Sequence, residues 1–104
     1  MDKNNVLVLP IMGKWFRMIL TGEKKEEYRT RKPYWEKRFL KYFGQKVDER
    51  KRIIFRNGYG NDKPQFTALC SLSEGYGREE WGAEKDTLYY VLKIHEVFDI
   101  KNTV

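Results

Sequence analysis

The sequence predicts a small mixed α/β barrel with two helices. Three observations favour this class: apolar residues alternate along several segments, two other segments repeat apolar residues at helical spacing, and the elements follow in the order β-α-β-α-β-β-β. That order lacks the regular βαβ alternation of a doubly wound sheet. A chain of 104 residues has room for one such domain, which we place at 1–104.

The chain begins with a predicted strand and helix. The apolar run Val6–Leu9, ended by Pro10, is typical of a strand buried on both faces. Apolar residues at helical spacing predict a helix over Met12–Thr21. Gly22 should end this helix, because glycine adopts the left-handed conformation at a helix C-terminus without a steric clash.

A second helix and three strands follow in the rest of the chain. Proline suits the first turn of a helix and glycine its end, so a helix is predicted from Pro33 to Gly44. The strands are predicted at Arg52–Arg56, Phe66–Leu72 and Thr87–Phe98, and a long loop covers Glu74–Asp86. The last strand is apolar on both faces in its first half, which indicates an interior position in the sheet.

The segment from Lys25 to Thr30 predicts a strand, yet it is charged on both faces. With a two-residue period, Lys25, Glu27 and Arg29 point one way, and Glu26, Tyr28 and Thr30 the other. One interpretation is an edge strand whose charges block edge-to-edge pairing. The other is a strand that lines a polar cleft, with Lys24, Glu27 and Arg29 directed at a ligand.

These residues also carry a family resemblance. The pattern Gly22-x-Lys24-x-x-Glu27-x-Arg29, after an apolar helix that contains Trp15, resembles the signature of the ASCH domain, and the resemblance covers most of the chain. It implies a PUA-like β-barrel with a cleft beside the motif. It also implies binding of RNA or nucleotides, the function expected of most members. A minority are hydrolases, among them amidohydrolases of acylated cytidine nucleosides and a ribonuclease.

The chain departs from the amidohydrolase branch at one position. That branch pairs the lysine with a threonine where Glu27 stands here, so this sequence lacks the hydroxyl nucleophile. Two roles for Glu27 stay open: activation of water, or a structural interaction with Arg29. The hydrolase alternative therefore takes Lys24 and Glu27, with Glu80, as acid-base groups.

Two short loops repeat a Gly-Tyr-Gly triplet, at 58–60 and 75–77. The tyrosines either pack over the barrel rim or stack on a base that approaches the glycine backbone. On the second interpretation the stacking candidates are Tyr59, Tyr76 and Trp81. The charged and polar ligand-binding candidates are Arg29, Arg31, Arg56 and Asn57.

Composition favours some partners and excludes some sites. The net charge of +6 favours a polyanionic partner, RNA or a nucleotide-like ligand. One cysteine and one histidine cannot supply a normal zinc site, so we expect no metal and no cofactor. Cys70 and His95 formally allow a nucleophilic pair, but Cys70 continues an apolar alternation that is typical of a buried thiol.

Cellular location and other partners follow from the same composition. A single cysteine excludes an internal disulfide, and the apolar run near the N-terminus is too short for a signal peptide or membrane span. We therefore expect a cytoplasmic protein without a membrane partner. A module that binds another protein through its aromatic surface is a further alternative, and the oligomeric state stays open.

Overall fold

One sheet and two helices make up the computed structural model, which describes residues 6–44 and 49–102. The order of elements is the predicted one, and the small mixed α/β class is confirmed. The elements are β1 (Leu7–Ile11), α1 (Gly13–Leu20), β2 (Glu26–Thr30), α2 (Pro33–Phe43), β3 (Lys51–Asn57), β4 (Gln65–Tyr76), a 3-10 turn (Glu79–Trp81) and β5 (Leu88–Lys101).

The sheet has the strand order β1-β3-β4-β5-β2, so β1 and β2 are its two edges. β1 runs parallel to β3, and the other neighbours are antiparallel. Within the described residues no backbone ladder joins β1 to β2, and the predicted closed barrel is not confirmed. A side chain spans the gap instead: Arg29 Nη2 on β2 donates to the Pro10 carbonyl on β1 at 3.0 Å. We call this gap the seam.

Strand β1 differs from its prediction in two ways. Pro10 lies inside the strand, which continues to Ile11. Proline lacks an N–H, and an edge strand tolerates this because it pairs on one side only. Leu9 and Ile11 are buried but Val8 is exposed, so the predicted burial on both faces was wrong.

The end of α1 confirms the predicted role of Gly22. Its φ is 83°, its N–H donates to the Ile19 carbonyl at 3.0 Å, and the Glu23 N–H donates to the Met18 carbonyl at 2.9 Å. This pair of bonds is a Schellman motif, which satisfies the last carbonyls and turns the chain sharply. The turn thereby places Lys24 back beside the end of α1.

No helix in the described ranges is both long and apolar enough to cross a membrane.

The core has two parts. The larger lies between the helices and one face of the sheet, and it includes Phe16 and Ile19 from α1, Phe39 and Phe43 from α2, and Leu92 from β5. The smaller lies on the other face and consists of Tyr28, Ala83, Tyr89 and Val91, with Trp81 packed against it. Strand β5 therefore has a covered stretch on both faces, and its predicted interior position is confirmed.

The loop predicted over Glu74–Asp86 is shorter than expected. β4 continues to Tyr76, because Gly75 and Tyr76 still pair with Tyr89 and Leu88 of β5. The remaining loop carries the 3-10 turn, whose packing against β2 and β5 forms the smaller core. This turn, like α1 and α2, supplies a wall of the site.

Candidate ligand-binding site

An aromatic cavity of about 360 Å³ opens at the seam, bordered by Pro10 of β1 and by residues 27–29 of β2. All three tryptophans of the chain line it. The full lining is Pro10, Met12, Trp15, Glu27, Tyr28, Arg29, Trp35, Tyr59, Trp81, Gly82 and Tyr89. A cavity of this size, mostly aromatic with a few polar groups, is typical of a small-ligand site.

Separate elements bring the tryptophans together. Trp15 comes from α1, Trp35 from α2 and Trp81 from the 3-10 turn. Gly82, with φ of 102°, lets the turn approach α1: a Cβ at this position would lie only 2.9 Å from the Trp15 ring. A side chain there would push two walls of the cavity apart.

A buried ion network forms the polar floor of the cavity. Lys24 Nζ lies 3.0 Å from Glu27 Oε1, and Arg29 Nη1 lies 2.7 Å from Glu27 Oε2. Lys24 is 1% exposed and Glu27 5%. The carboxylate is thus held between two cations, each oxygen bound to one of them. Glu27 and Arg29 share a strand face, as predicted.

Lys24 is enclosed by protein acceptors and does not line the cavity. Besides Glu27, its ammonium donates to the carbonyls of Glu26 and Trp81, the latter at 2.9 Å. These three bonds use its three donors. Burial lowers the pKa of Lys24, and the Glu27 carboxylate opposes this shift. The Lys24 ammonium is thus directed at protein acceptors and not into the aromatic cavity, and its role in acid-base catalysis stays a prediction.

Arg29 is fixed in place but keeps donors for a ligand. Nη1 donates to Glu27 and to the Tyr28 carbonyl, and Nη2 donates to Pro10. Its guanidinium lies 5.4 Å from the centre of the Trp35 ring. Of the five N–H groups of an arginine, one on Nη2 and one on Nε have no partner among the described residues. Arg29 therefore lines the cavity as an oriented cation with two unpaired N–H groups, beside the aromatic ring of Trp35.

The free edge of β2 adds a backbone donor. The carbonyls of Glu26 and Tyr28 are bound by Lys24 and Arg29, whereas the Lys25 carbonyl accepts from Ile94 of β5. In an antiparallel strand the N–H and C=O of one residue point to the same side. The Tyr28 N–H therefore points away from β5, towards the seam. Arg29 and this N–H together form a donor-rich edge.

Tyr28 itself ties the strand to the loop that carries Trp81. Its hydroxyl donates to Glu26 Oε1 at 2.8 Å and accepts from the Arg78 N–H at 2.9 Å. Burial raises the pKa of Tyr28 well above its ordinary value, so the hydroxyl stays neutral. The sequence predicts charged faces on this strand, whereas Tyr28 is buried in the smaller core.

The structure gathers four of the predicted site residues in the aromatic cavity: Glu27, Arg29, Tyr59 and Trp81. Arg56 lies next to it, in a second depression that shares Pro10 and Tyr59 with the cavity. β2 is an edge strand of the sheet, and its Glu27 and Arg29 also line the cavity; that they bind a ligand stays a prediction.

Four other predicted residues lie outside the lining of the cavity. Arg31 pairs with Glu74 at 2.6 Å, and Glu80 pairs with Arg78 at 3.3 Å, in both cases on the surface. Tyr76 is 68% exposed at the end of β4. The side chain of Asn57 packs beside Gly13 instead of facing the cavity. The two Gly-Tyr-Gly triplets therefore do not place both tyrosines at one site.

The sequence reasoning missed Trp15, Trp35, Tyr28 and Tyr89 as site residues. It assigned the two tryptophans to the apolar stripes of their helices. One signal was present: tryptophan is rarely fully buried, because its large ring carries an N–H that needs a partner. Both tryptophans are half-buried at the cavity.

Cys70 and His95 do not form a nucleophilic pair. Cys70 is fully buried in the larger core, and burial raises the pKa of its thiol to about 12. His95 Nε2 lies 2.8 Å from Ser71 Oγ, and Ser71 follows Cys70 on the opposite face of β4. The prediction of a buried thiol is confirmed. Across the described ranges, no three His, Cys, Asp or Glu side chains are grouped as metal ligands.

Comparison with known proteins gives no match: neither a family model, nor a curated protein, nor a solved structure resembles the chain. The resemblance to ASCH domains stays a prediction based on the motif residues.

Proposed function

We propose that this domain binds RNA or a nucleotide-like ligand by taking one base into the aromatic cavity. The observation that carries the proposal is the convergence of all three tryptophans on one cavity beside Arg29. Every base has a flat aromatic face, and stacking a base on aromatic side chains contributes about 1–3 kcal/mol. The half-buried indole rings supply such faces.

The donor-rich edge favours a base that presents acceptors. Arg29 offers N–H groups on Nε and Nη2, and the Tyr28 N–H lies on the same side of β2. Ring nitrogens and carbonyl oxygens of bases accept such bonds. Glu27 orients Arg29 through its ion pair and so supports the recognition indirectly.

Two cations that lie against tryptophans of the cavity suit the phosphates of the ligand. The Lys14 ammonium lies 4.7 Å from the centre of the Trp15 ring, and the Arg78 guanidinium lies 4.9 Å from that of Trp81. Phosphate contacts release counterions, so binding should weaken as the salt concentration rises. The net charge of +6 acts in the same direction.

This function agrees with the resemblance to ASCH domains. We propose that the chain is an ASCH-like domain with a PUA-like sheet, and that the open seam of the sheet is the ligand cleft. The motif residues then have structural reasons for their spacing. Gly22 turns the chain, Lys24 and Glu27 hold the floor, and Arg29 faces the ligand.

Tryptophan fluorescence tests the proposal directly, because every tryptophan of the chain lines the cavity. Titration with the four nucleoside monophosphates should quench the fluorescence with at least one of them. Trp35→Leu keeps an apolar contact with Phe39 but removes a stacking face. It should weaken binding roughly 5- to 150-fold, the equivalent of about 1–3 kcal/mol.

Tyr76→Ala is the matched control, since it removes an exposed aromatic ring that does not line the cavity. It should leave the affinity as it is in the wild type. Thermal melting shows whether each variant is folded. Absence of binding by all four monophosphates, or an unchanged affinity in folded Trp35→Leu, would contradict the proposed site.

A further inference from the structure

We infer that the site holds two successive nucleotides of a single strand, with one base in the aromatic cavity and the adjoining phosphate at Arg56. This inference rests on the proposed function and names its ligand more narrowly. A second depression of about 270 Å³ adjoins the cavity and shares Pro10 and Tyr59 with it. Two adjoining hollows with a common wall fit a chain molecule better than an isolated nucleoside.

Tyr59 forms the wall between the two hollows. It lies in the loop between β3 and β4 and is 83% exposed. Because Tyr59 lines both hollows, a ligand group in either hollow can contact it. Sequence-tolerant binding of single strands uses such exposed rings, on which successive bases stack.

Arg56 is oriented for a phosphate in the second hollow. Its Nε donates to Gln65 Oε1 at 3.1 Å, and Gln65 lies directly opposite it in the β3–β4 register. The N–H groups on Nη1 and Nη2 have no partner among the described residues. A guanidinium fork with its stem fixed matches the oxygens of a phosphodiester.

The other walls of the second hollow leave room for a sugar and its backbone. Gly58 and Gly60 carry no side chain, and Val8 exposes an apolar surface. The lining includes no carboxylate, although Asp62 Oδ1 lies 3.0 Å from the position that a Cβ on Gly60 would occupy. The hollow therefore combines one cation, one apolar patch and glycine backbone without side chains. This combination suits a phosphate group attached to a sugar.

The arrangement requires an unpaired strand. A base enters the aromatic cavity only when its faces are free, and in a duplex both faces are stacked on neighbouring bases. Recognition of single strands combines stacked bases with cationic contacts along the backbone. The inferred ligand is therefore single-stranded nucleic acid, with RNA and DNA separated by experiment.

The test compares a nucleoside with the matching dinucleoside monophosphate, in ribose and deoxyribose forms, by tryptophan fluorescence. The dinucleoside should bind the wild type roughly tenfold more tightly, since it adds one charge-assisted contact. Arg56→Gln should lower this ratio towards one. Arg52→Gln is the control, because Arg52 is exposed on the same strand near Phe98 and lines neither hollow. It should keep the ratio of the wild type.

Each outcome separates this inference from the proposed function. If no nucleoside or nucleotide binds, the proposed function fails. If nucleosides bind but the dinucleosides in both sugar forms bind no more tightly, only the two-nucleotide site fails. An unchanged ratio in Arg56→Gln, with melting that shows a folded protein, also overturns it. So does equal affinity for a blunt duplex and for its separated strands.

Discussion

Charged side chains occupy two very different settings in this molecule. In the floor of the cavity, Lys24 and Glu27 are buried and bound by fixed partners. On the surface, Arg31 pairs with Glu74, both about half exposed, and Arg78 with Glu80. Exposed pairs contribute about 0–1 kcal/mol and are screened by salt, whereas loss of one partner from a buried pair costs about 3–5 kcal/mol.

The difference separates two functions of charge. The buried network fixes the shape of the cavity and the direction of Arg29, because the Lys24 ammonium, both Glu27 oxygens and the two terminal nitrogens of Arg29 each have a fixed partner. The exposed arginines exchange their partners for water or phosphate at little cost. The buried charges of Lys24 and Glu27 thus serve as scaffold, and under the proposed function the exposed cations are the groups free to contact phosphate. Three predictions test this contrast, from the largest effect to the smallest.

The largest effect is expected from Lys24→Met. The substitution leaves the Glu27 carboxylate buried with one cation fewer, and the carbonyl of Trp81 loses its donor. The free energy of unfolding, measured by urea denaturation, should fall by about 3–5 kcal/mol. Lys25→Met is the matched control at the next, exposed position. It should change the value by no more than about 0.5 kcal/mol.

Equal stability of these two variants would mean that the buried network does not hold the floor together. A moderate loss of stability in Lys24→Met that is restored in the double variant Lys24→Met/Glu27→Gln would have another meaning. It would locate the cost in the buried Glu27 carboxylate that has lost its lysine partner. That outcome would sharpen the contrast, because the coupling within an exposed pair is at most about 1 kcal/mol.

An intermediate effect is expected in the pH dependence of the protein's stability, through the ionisation of Cys70. Burial raises the pKa of its thiol from 9.0 to about 12, so the unfolded chain loses this proton first. Stability should therefore fall as the pH rises from about 9 towards about 12. At pH 11 the Cys70 contribution to this loss is about 2–3 kcal/mol. The contribution is absent below about pH 8, where the thiol is protonated in both states.

Cys70→Ala isolates this contribution. The variant is less stable at all pH values because it leaves a cavity in the core. Its decline between pH 8 and pH 11 should nevertheless be shallower than that of the wild type, since Tyr28 and Lys24 titrate in both proteins. Stability is measured by urea denaturation at pH 8 and pH 11. An equal loss of stability in the wild type and in Cys70→Ala would contradict the prediction, because it would mean that the thiol ionises as readily in the core as in the unfolded chain.

The smallest effect is expected in hydrolysis assays. Lys24 has its three donors occupied, and each oxygen of Glu27 is held by a cation. We expect no turnover of acylated nucleosides or RNA in single-turnover incubations. Glu27→Gln and wild type should then give the same background. Turnover by the wild type that falls roughly 10²–10⁴-fold in Glu27→Gln would favour the hydrolase alternative.

The sequence by itself determined the local features. Gly22 ends α1, Pro33 begins α2 and Gly44 ends it. The backbone freedom of glycine and the missing N–H of proline affect only the helical turn in which they lie, so the sequence alone predicts these ends. Alternation along β4 predicted the burial of Cys70, since the period of a strand fixes which face a residue occupies. Glu27 and Arg29 share a face for the same reason.

The tertiary structure decided where the edges of the sheet lie and what meets at them. The contact of Arg29 with Pro10 spans 19 residues, and that of Lys24 with Trp81 spans 57. No local pattern encodes such pairs, because they depend on strand order and on how loops pack across the sheet. The convergence of three tryptophans at an open seam has the same origin: each follows its own helix or turn, and only the packing of those elements places the rings around one cavity.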